Sequence, residues 1–463
     1  MNPADLAFAG AAEQARLLAA GTITAPDLLE IYLERIARLD PLLRSFRVVL
    51  TDSARQQAVA AQVRLDAGER LPLLGVPVAI KDDIDVGGQL TTFGSSAVAN
   101  PKTEDAEVVS LLRAAGAVII GKTNVPELMT LPFAESITFG ATRNPWDPAL
   151  TPGGSSGGNG AAVAAGLVPL AVGSDGGGSI RIPSSWCGIY GLKTQRGQVS
   201  LKPRIEPWCG LDVYGPMARS VEDVALFLDV ASSTPGPAGG FVAAAADRPG
   251  RLRIALSTKT PPLTFAKAGR EQSAAVEAAG KLLSGQGHVV ETRNPPYPLW
   301  TILGYYLPRY FRGIYNDVAP LPHPERLEPR TRHMARVGSW LSDQRIAKVR
   351  EKEAKLAKQI QPIFDDFDVL ITPGNAKGPS RIGAYRSRGV LRSLLFASGR
   401  VPFYETWNMT GQPAAVLPWA LDRDGIPLSL QLICKKDDVA TLLALSAQLE
   451  ALRPGLDWRP PVS

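Results

Sequence analysis

The chain has 463 residues, 45% of them hydrophobic and 20% charged, and a formal net charge of +6. That is the composition of an ordinary globular protein, with too dilute a charge for a dedicated nucleic-acid surface and no apolar run near the roughly 18 residues that cross a membrane. Its three cysteines, Cys187, Cys209 and Cys434, show no CxxC spacing, and MNPADLAFAGAAEQARLLAAG lacks the basic start of a signal peptide. Both features predict a reduced, cytoplasmic protein with no disulfide framework.

In GTITAPDLLEIYLERIARLDP, Thr24 is placed to cap a helix, with Asp27 three residues on and Pro26 in the first turn. Leu28, Leu29, Tyr32, Ile36 and Leu39 then form a helical stripe, and a second helix is expected over roughly 51–68. LLGVPVAIKDDIDV reads as a short buried strand that runs into charge at Lys81. AGAVIIGKTN and LVPLAVGSD repeat the pattern of apolar strand followed by polar residues. Strands alternating with helices predict an α/β sheet with chemistry at the strand ends.

Residues 232–256, SSTPGPAGGFVAAAADRPGRLRIAL, read as a Pro/Gly/Ala-rich connection that ends in a strand. Residues 300–317 are unusually aromatic. Tyr297, Trp300, Tyr305, Tyr306, Tyr310, Phe311 and Tyr315 either fill the core side of a helix or wall an apolar entrance. DVLITPG and IPLSLQLI read as late strands, and VATLLALSAQLEAL as an amphipathic C-terminal helix. Arg381, Arg386, Arg388, Arg392 and Arg400 read as a solvated face, since a nucleic-acid groove interleaves aromatics with a denser basic run. No internal repeats are present.

Two motifs match a pattern and fail its context. GAVIIGKT, residues 116–123, fits the P-loop pattern, but Val118, Ile119 and Ile120 are strand residues where a phosphate loop must be flexible. GGSSG, residues 153–157, fits the nucleophile elbow, yet a loop precedes it, and the histidines (His288, His323, His333) all lie far along the chain without recognisable context. Scattered histidines and cysteines also match no zinc spacing.

Without histidine, a serine can be activated by a neutral lysine, and burial is what lowers a lysine from its free value of about 10.4. Lys81 directly follows VPVAI. It is either a buried base or a salt-bridged lysine, and Asp82 at least is expected to point away from it by strand alternation. In GSDGGGSIR, Gly176, Gly177 and Gly178 precede Ser179. They form either a flexible turn or a nest of N–H groups able to hold an oxyanion.

AIKDDIDV, GKTN, TRNPWDP, PGGSSGG, GSDGGGSIRIP, CGIYGLK, GPMARSVEDVA, WNMTGQPA and GIPLSLQLI together resemble the amidase signature family. The likeness covers about 75–230 and returns at about 405–450. It implies one large α/β domain: a central mixed, twisted sheet covered by helices on both faces. Within it, 1–74 would form a helical segment packed on the core, 75–230 the signature core, 235–400 a variable pocket region, and 401–463 the C-terminal part of the sheet and a helix.

The resemblance further implies Lys81 as base, Ser155 as a bridging serine on a cis peptide, Ser179 as nucleophile, and Gly176, Gly177 and Gly178 as the oxyanion hole. Ser156, Asp175 and Arg181 would support them. Neither metal nor cofactor is implied. The expected partner is a small-molecule amide, with no nucleic acid or membrane, on a monomer or homodimer. Family members usually carry asparagine where this chain has Asp83. The expected activity is hydrolysis of aryl or hydrophobic amides, extending to esters and carbamates. The alternatives are the glutaminase-type subunit of a tRNA-dependent amidotransferase, for which GLDVYGP at 210–216 is a poor match, and a silent binding protein on the same fold.

Overall fold

The computed structural model describes residues 2–453 and 459–463. Thr24 caps the helix Ala25–Leu43 through its side chain, which accepts from Asp27 N–H. A second helix, Thr51–Asp66, follows. Between them the chain does more than form helices: Phe46–Val49 is a strand at the edge of the main sheet.

That sheet has eleven strands among the described residues. In spatial order they are Phe46–Val49, Val118–Thr123, Pro77–Lys81, Leu170–Ser174, Tyr214–Ala218, Tyr190–Lys193, Ala414–Leu421, Pro427–Cys434, Val369–Pro373, Arg253–Leu256 and Val289–Thr292. Pro77–Lys81 runs parallel to both its neighbours, and Arg253–Leu256 to both of its own. The other pairings are antiparallel, so the sheet is mixed.

Alternation along the strands shows that both faces are covered. Val369 and Ile371 belong to one apolar cluster and Leu370 to a second; Leu432 belongs to the first and its neighbour Ile433 to the second. A strand buried on both faces has no polar alternation, which is why VPVAI and VLITP read as continuous apolar runs. The region 235–400 supplies three of the eleven strands and is in part core.

Two expectations about helices are corrected. The stretch 232–256 is not a plain connection, because Gly240–Ala246 within it is a helix. FVAAAA outweighs the surrounding Pro and Gly, alanine being the strongest helix former, and Phe241 anchors the segment in the core. The C-terminal helix Val439–Leu452 is not amphipathic. Its successive residues Leu442, Leu443, Ala444, Leu445 and Ser446 are all buried, because it packs between the sheet and the helices Val221–Ala231 and Gly240–Ala246. Among the described residues no helix is long and apolar enough to cross a membrane.

Candidate active site

Ile80 lies opposite Val172 on the parallel strands Pro77–Lys81 and Leu170–Ser174, so Lys81 and Ser174 leave the sheet side by side. Lys81 is fully buried. Its Nζ donates to Ser155 Oγ at 2.7 Å and to Ser174 Oγ at 2.6 Å, and lies 3.3 Å from Asp83 Oδ2. Ser174 Oγ passes its own hydrogen to Asp83 Oδ2 at 2.5 Å. Asp82 points the other way, to Lys122 at 3.0 Å and Arg47 at 3.2 Å. The two carboxylates diverge in the turn that follows the strand, Asp82 pointing away from Lys81 and Asp83 toward it. Behind them Asp212 is pushed up to about 7 by burial and by the charge of Asp83, against Arg204 and Lys81.

Ser155 reaches Lys81 from a glycine loop, and the Gly154–Ser155 peptide bond is cis. The neighbouring glycines are required by close approach. A Cβ on Gly154 would lie 2.6 Å from Phe133 N, and one on Gly158 would lie 2.4 Å from Ser45 O. Such gaps admit no side chain. The loop runs into the helix Gly157–Ala164, which is tied to the sheet through Asn159. That residue donates to Val172 O at 3.0 Å and accepts from the Thr123 hydroxyl.

Ser179 joins this assembly through the main chain, Ser156 N–H donating to Ser179 O at 3.1 Å. Ser156 Oγ also donates to Ser174 O at 3.3 Å. The Ser155 and Ser179 hydroxyls share no hydrogen bond among the described residues. Lys81 and Ser155 are buried, whereas Ser179 is half-buried and opens into a cavity of about 180 Å³ walled by Trp208, Tyr306 and Tyr310. The site therefore grades from a buried cation to a reachable hydroxyl.

The loop carrying Ser179 is wrapped around the Asp175 carboxylate. Asp175 accepts from the N–H groups of Gly178 at 2.7 Å and Ile180 at 3.1 Å, and from Arg181 Nε at 3.0 Å and Nη2 at 2.9 Å. This corrects one expectation: the Gly178 N–H is already committed to Asp175 and is not free for an oxyanion. The N–H groups of Gly176, Gly177 and Ser179 have no acceptor among the described residues. Glycine is needed at 177, where a Cβ would lie 2.1 Å from the Tyr306 hydroxyl, and at 178, where φ is +113°.

Arg181 extends the network. Its Nη1 donates to Gln431 Oε1 at 2.7 Å and its Nη2 to Asn408 Oδ1 at 2.6 Å, while Asn408 Nδ2 donates back to Asp175 O at 2.6 Å. Burial would raise Asp175, but Arg181, Asn408 and Lys193 outweigh it and hold the carboxyl well below the usual carboxylate range. A depressed carboxyl stabilises the fold above its unfolded value and loses that contribution as the pH falls. Arg181→Ala leaves Asp175, Asn408 and Gln431 buried without their cation. We expect it to cost about 3–5 kcal/mol in chemical denaturation, and wild-type stability would contradict this account of the loop.

The structure thus brings Lys81, Ser155, Ser156, Asp175, Ser179 and Arg181 into one assembly. It adds Ser174, Asn408, Gln431 and Trp208, which the sequence reading did not assign to the site. The placement of Ser174 at the end of LVPLAVGS was the available signal for it.

Comparison with known proteins identifies the family. The sequence profile of the Amidase family matches residues 27–443. The chain is 61% identical to the protein named "Putative amidase AmiB2" of Mycobacterium tuberculosis over 463 residues, covering 100% of both. It is 34% identical over 482 residues to a glutamyl-tRNA(Gln) amidotransferase subunit of Roseiflexus castenholzii, covering 96% of each. Among solved structures it resembles a 6-aminohexanoate cyclic dimer hydrolase complexed with substrate, at TM-score 0.88 and 29% identity, over 99% of both chains. A profile match over most of the chain, joined to these likenesses across their full length, shows that the chain belongs to the amidase signature family and is an amide-hydrolysing enzyme.

Proposed function

We propose that the chain hydrolyses aryl or other hydrophobic amides through a Ser179–Ser155–Lys81 relay and an acyl-enzyme on Ser179. The observation that carries this reading is the 2.7 Å contact of a fully buried Lys81 with Ser155, directly behind the loop that presents Ser179 to the cavity. In the reactive form Lys81 is neutral. It takes the proton of Ser155, and Ser155 takes that of Ser179 as the Ser179 oxygen attacks the amide carbon. Asp83, at 3.3 Å, steadies the ammonium so formed.

The carbonyl oxygen becomes an oxyanion facing the uncommitted N–H groups of Gly176, Gly177 and Ser179, the type of stabilisation that usually contributes most. The proton then returns through Ser155 to the leaving nitrogen, the C–N bond breaks, and the amine departs. Water attacks the Ser179 ester and passes a proton through Ser155 to Lys81; the acyl–oxygen bond breaks, that proton returns to the Ser179 oxygen, and the carboxylic acid leaves. Esters and carbamates present the same carbonyl to the same groups.

The aromatic wall supports the substrate class. Tyr306 and Tyr310 are buried with ring centroids 5.9 Å apart, and Trp208 stands edge-on to Tyr310 at 5.3 Å. Trp300, which the sequence offered equally for this wall, is 58% exposed and does not line it. We expect Tyr306→Ala to raise KM for aryl anilides roughly tenfold or more, the size of one buried aromatic contact, while leaving KM for acetamide nearly unchanged. Equal changes for both substrates would count against the wall.

The direct test is para-nitroaniline release from acyl para-nitroanilides by the purified chain alone, with Ser179→Ala as control. Release that disappears in the control supports the reading. No release from folded protein, with activity restored only by a partner protein, would favour the amidotransferase reading that the 34% likeness allows.

A further inference from the structure

The cavity beside Ser179 is lined chiefly by apolar groups, among them Leu263, Leu394, Leu395 and Val401, and it contains one carboxyl group, that of Glu405. Glu405 begins the short helix Glu405–Thr410, and its Oε2 is buried without a hydrogen-bond partner. The groups that face it are Arg181, Asp175 and the phenols of Tyr297, Tyr306 and Tyr404. Arg181 is committed to Asp175, Gln431 and Asn408, and no cation among the described residues pairs with Glu405. Burial pushes its carboxyl up to about 7, despite the backbone N–H groups of residues 404 and 405 and the charge of Arg181.

A buried carboxyl oxygen with no donor costs the protein stability, and the relay described above makes no use of it. In a chiefly apolar cavity one such carboxylate acceptor favours one orientation of a cationic ligand. We propose that Glu405 is a specificity residue of this site, accepting a hydrogen bond from an ammonium group of a largely apolar substrate. The inference rests on the reading that Ser179 reacts in this cavity. It narrows the substrate class to hydrophobic amides that also bear an amine. The three facing phenols are all pushed upward by burial and stay neutral, so they add no competing charge.

The test is binding, which does not depend on turnover. Hexylammonium and 1-hexanol are titrated calorimetrically into the wild-type chain and into Glu405→Gln and Glu405→Leu at pH 8. The wild type is expected to bind the ammonium at least tenfold more tightly than the alcohol, and both variants are expected to lose that preference while still binding the alcohol. In the wild type, ammonium binding should also weaken from pH 8 to pH 5 as the free carboxyl takes up a proton, and alcohol binding should not. This arm stands even if neither variant folds.

Equal affinities in the wild type, or a preference that survives both variants, would overturn the proposal. Binding of neither probe would overturn it as well, by removing the cavity as a binding site. Nitroanilide release that depends on Ser179, without any ammonium preference, would sink the role of Glu405 and leave the relay standing.

Discussion

Ser179→Ala is expected to lower kcat/KM for acyl anilides by at least about 10⁴-fold, with the fold unchanged. The loss follows from position. Ser179 is half-buried at the cavity, while Ser155 is 1% exposed and held by Lys81, and Ser174 is 3% exposed and held between Lys81 and Asp83. Neither of the deeper serines can reach a bound carbonyl, so no hydroxyl replaces the missing one. Substrate binding should persist, because the aromatic wall is untouched. Unchanged KM in any residual activity is therefore part of the expectation. A variant that kept a tenth of wild-type activity would place the nucleophile elsewhere.

Lys81→Ala is expected to lower the rate at pH 7 by about 10²–10⁴-fold, the range for loss of a general base. Its residual rate should rise with pH as hydroxide takes over proton removal. Lys81→Ala also leaves Asp83 buried without its cation, and circular dichroism must show folded protein before the rates are compared. Wild-type activity at pH 7 in the folded variant would end the base assignment.

The strands that carry the site were legible because they are buried on both faces. VPVAI before Lys81 and LVPLAV before Ser174 have no polar alternation, and both end at the same edge of the sheet. Asp82 points away as strand alternation predicts, but it does so from the turn after the strand, where Ile84 N–H donates to Lys81 O. Only the structure shows that this turn brings Asp83 back to 3.3 Å from Lys81 Nζ.

What could not be read locally was long-range. Arg181 meets Asn408 and Gln431 across more than two hundred residues, and no spacing encodes that contact. The glycine run 176–178 suggested three equivalent donors, yet the Asp175 carboxylate takes one of them because the loop folds back on it. The aromatic segment was ambiguous because helical spacing suits both core and cavity, and Tyr306 and Tyr310 serve both. Trp208 escaped notice because it is isolated in sequence and reaches the wall from the turn at 207–210, where Trp208 and Cys209 both hold positive φ.

The most direct test of the account is to trap the acyl-enzyme. The purified chain is incubated with a para-nitrophenyl carbamate, whose carbamoyl ester is released slowly, then quenched in acid, digested and analysed by mass spectrometry. The account predicts one carbamoyl group per chain, on Ser179, and none in Ser179→Ala. A stable label on Ser155 or Ser174, or para-nitrophenol release that continues in Ser179→Ala, would contradict it.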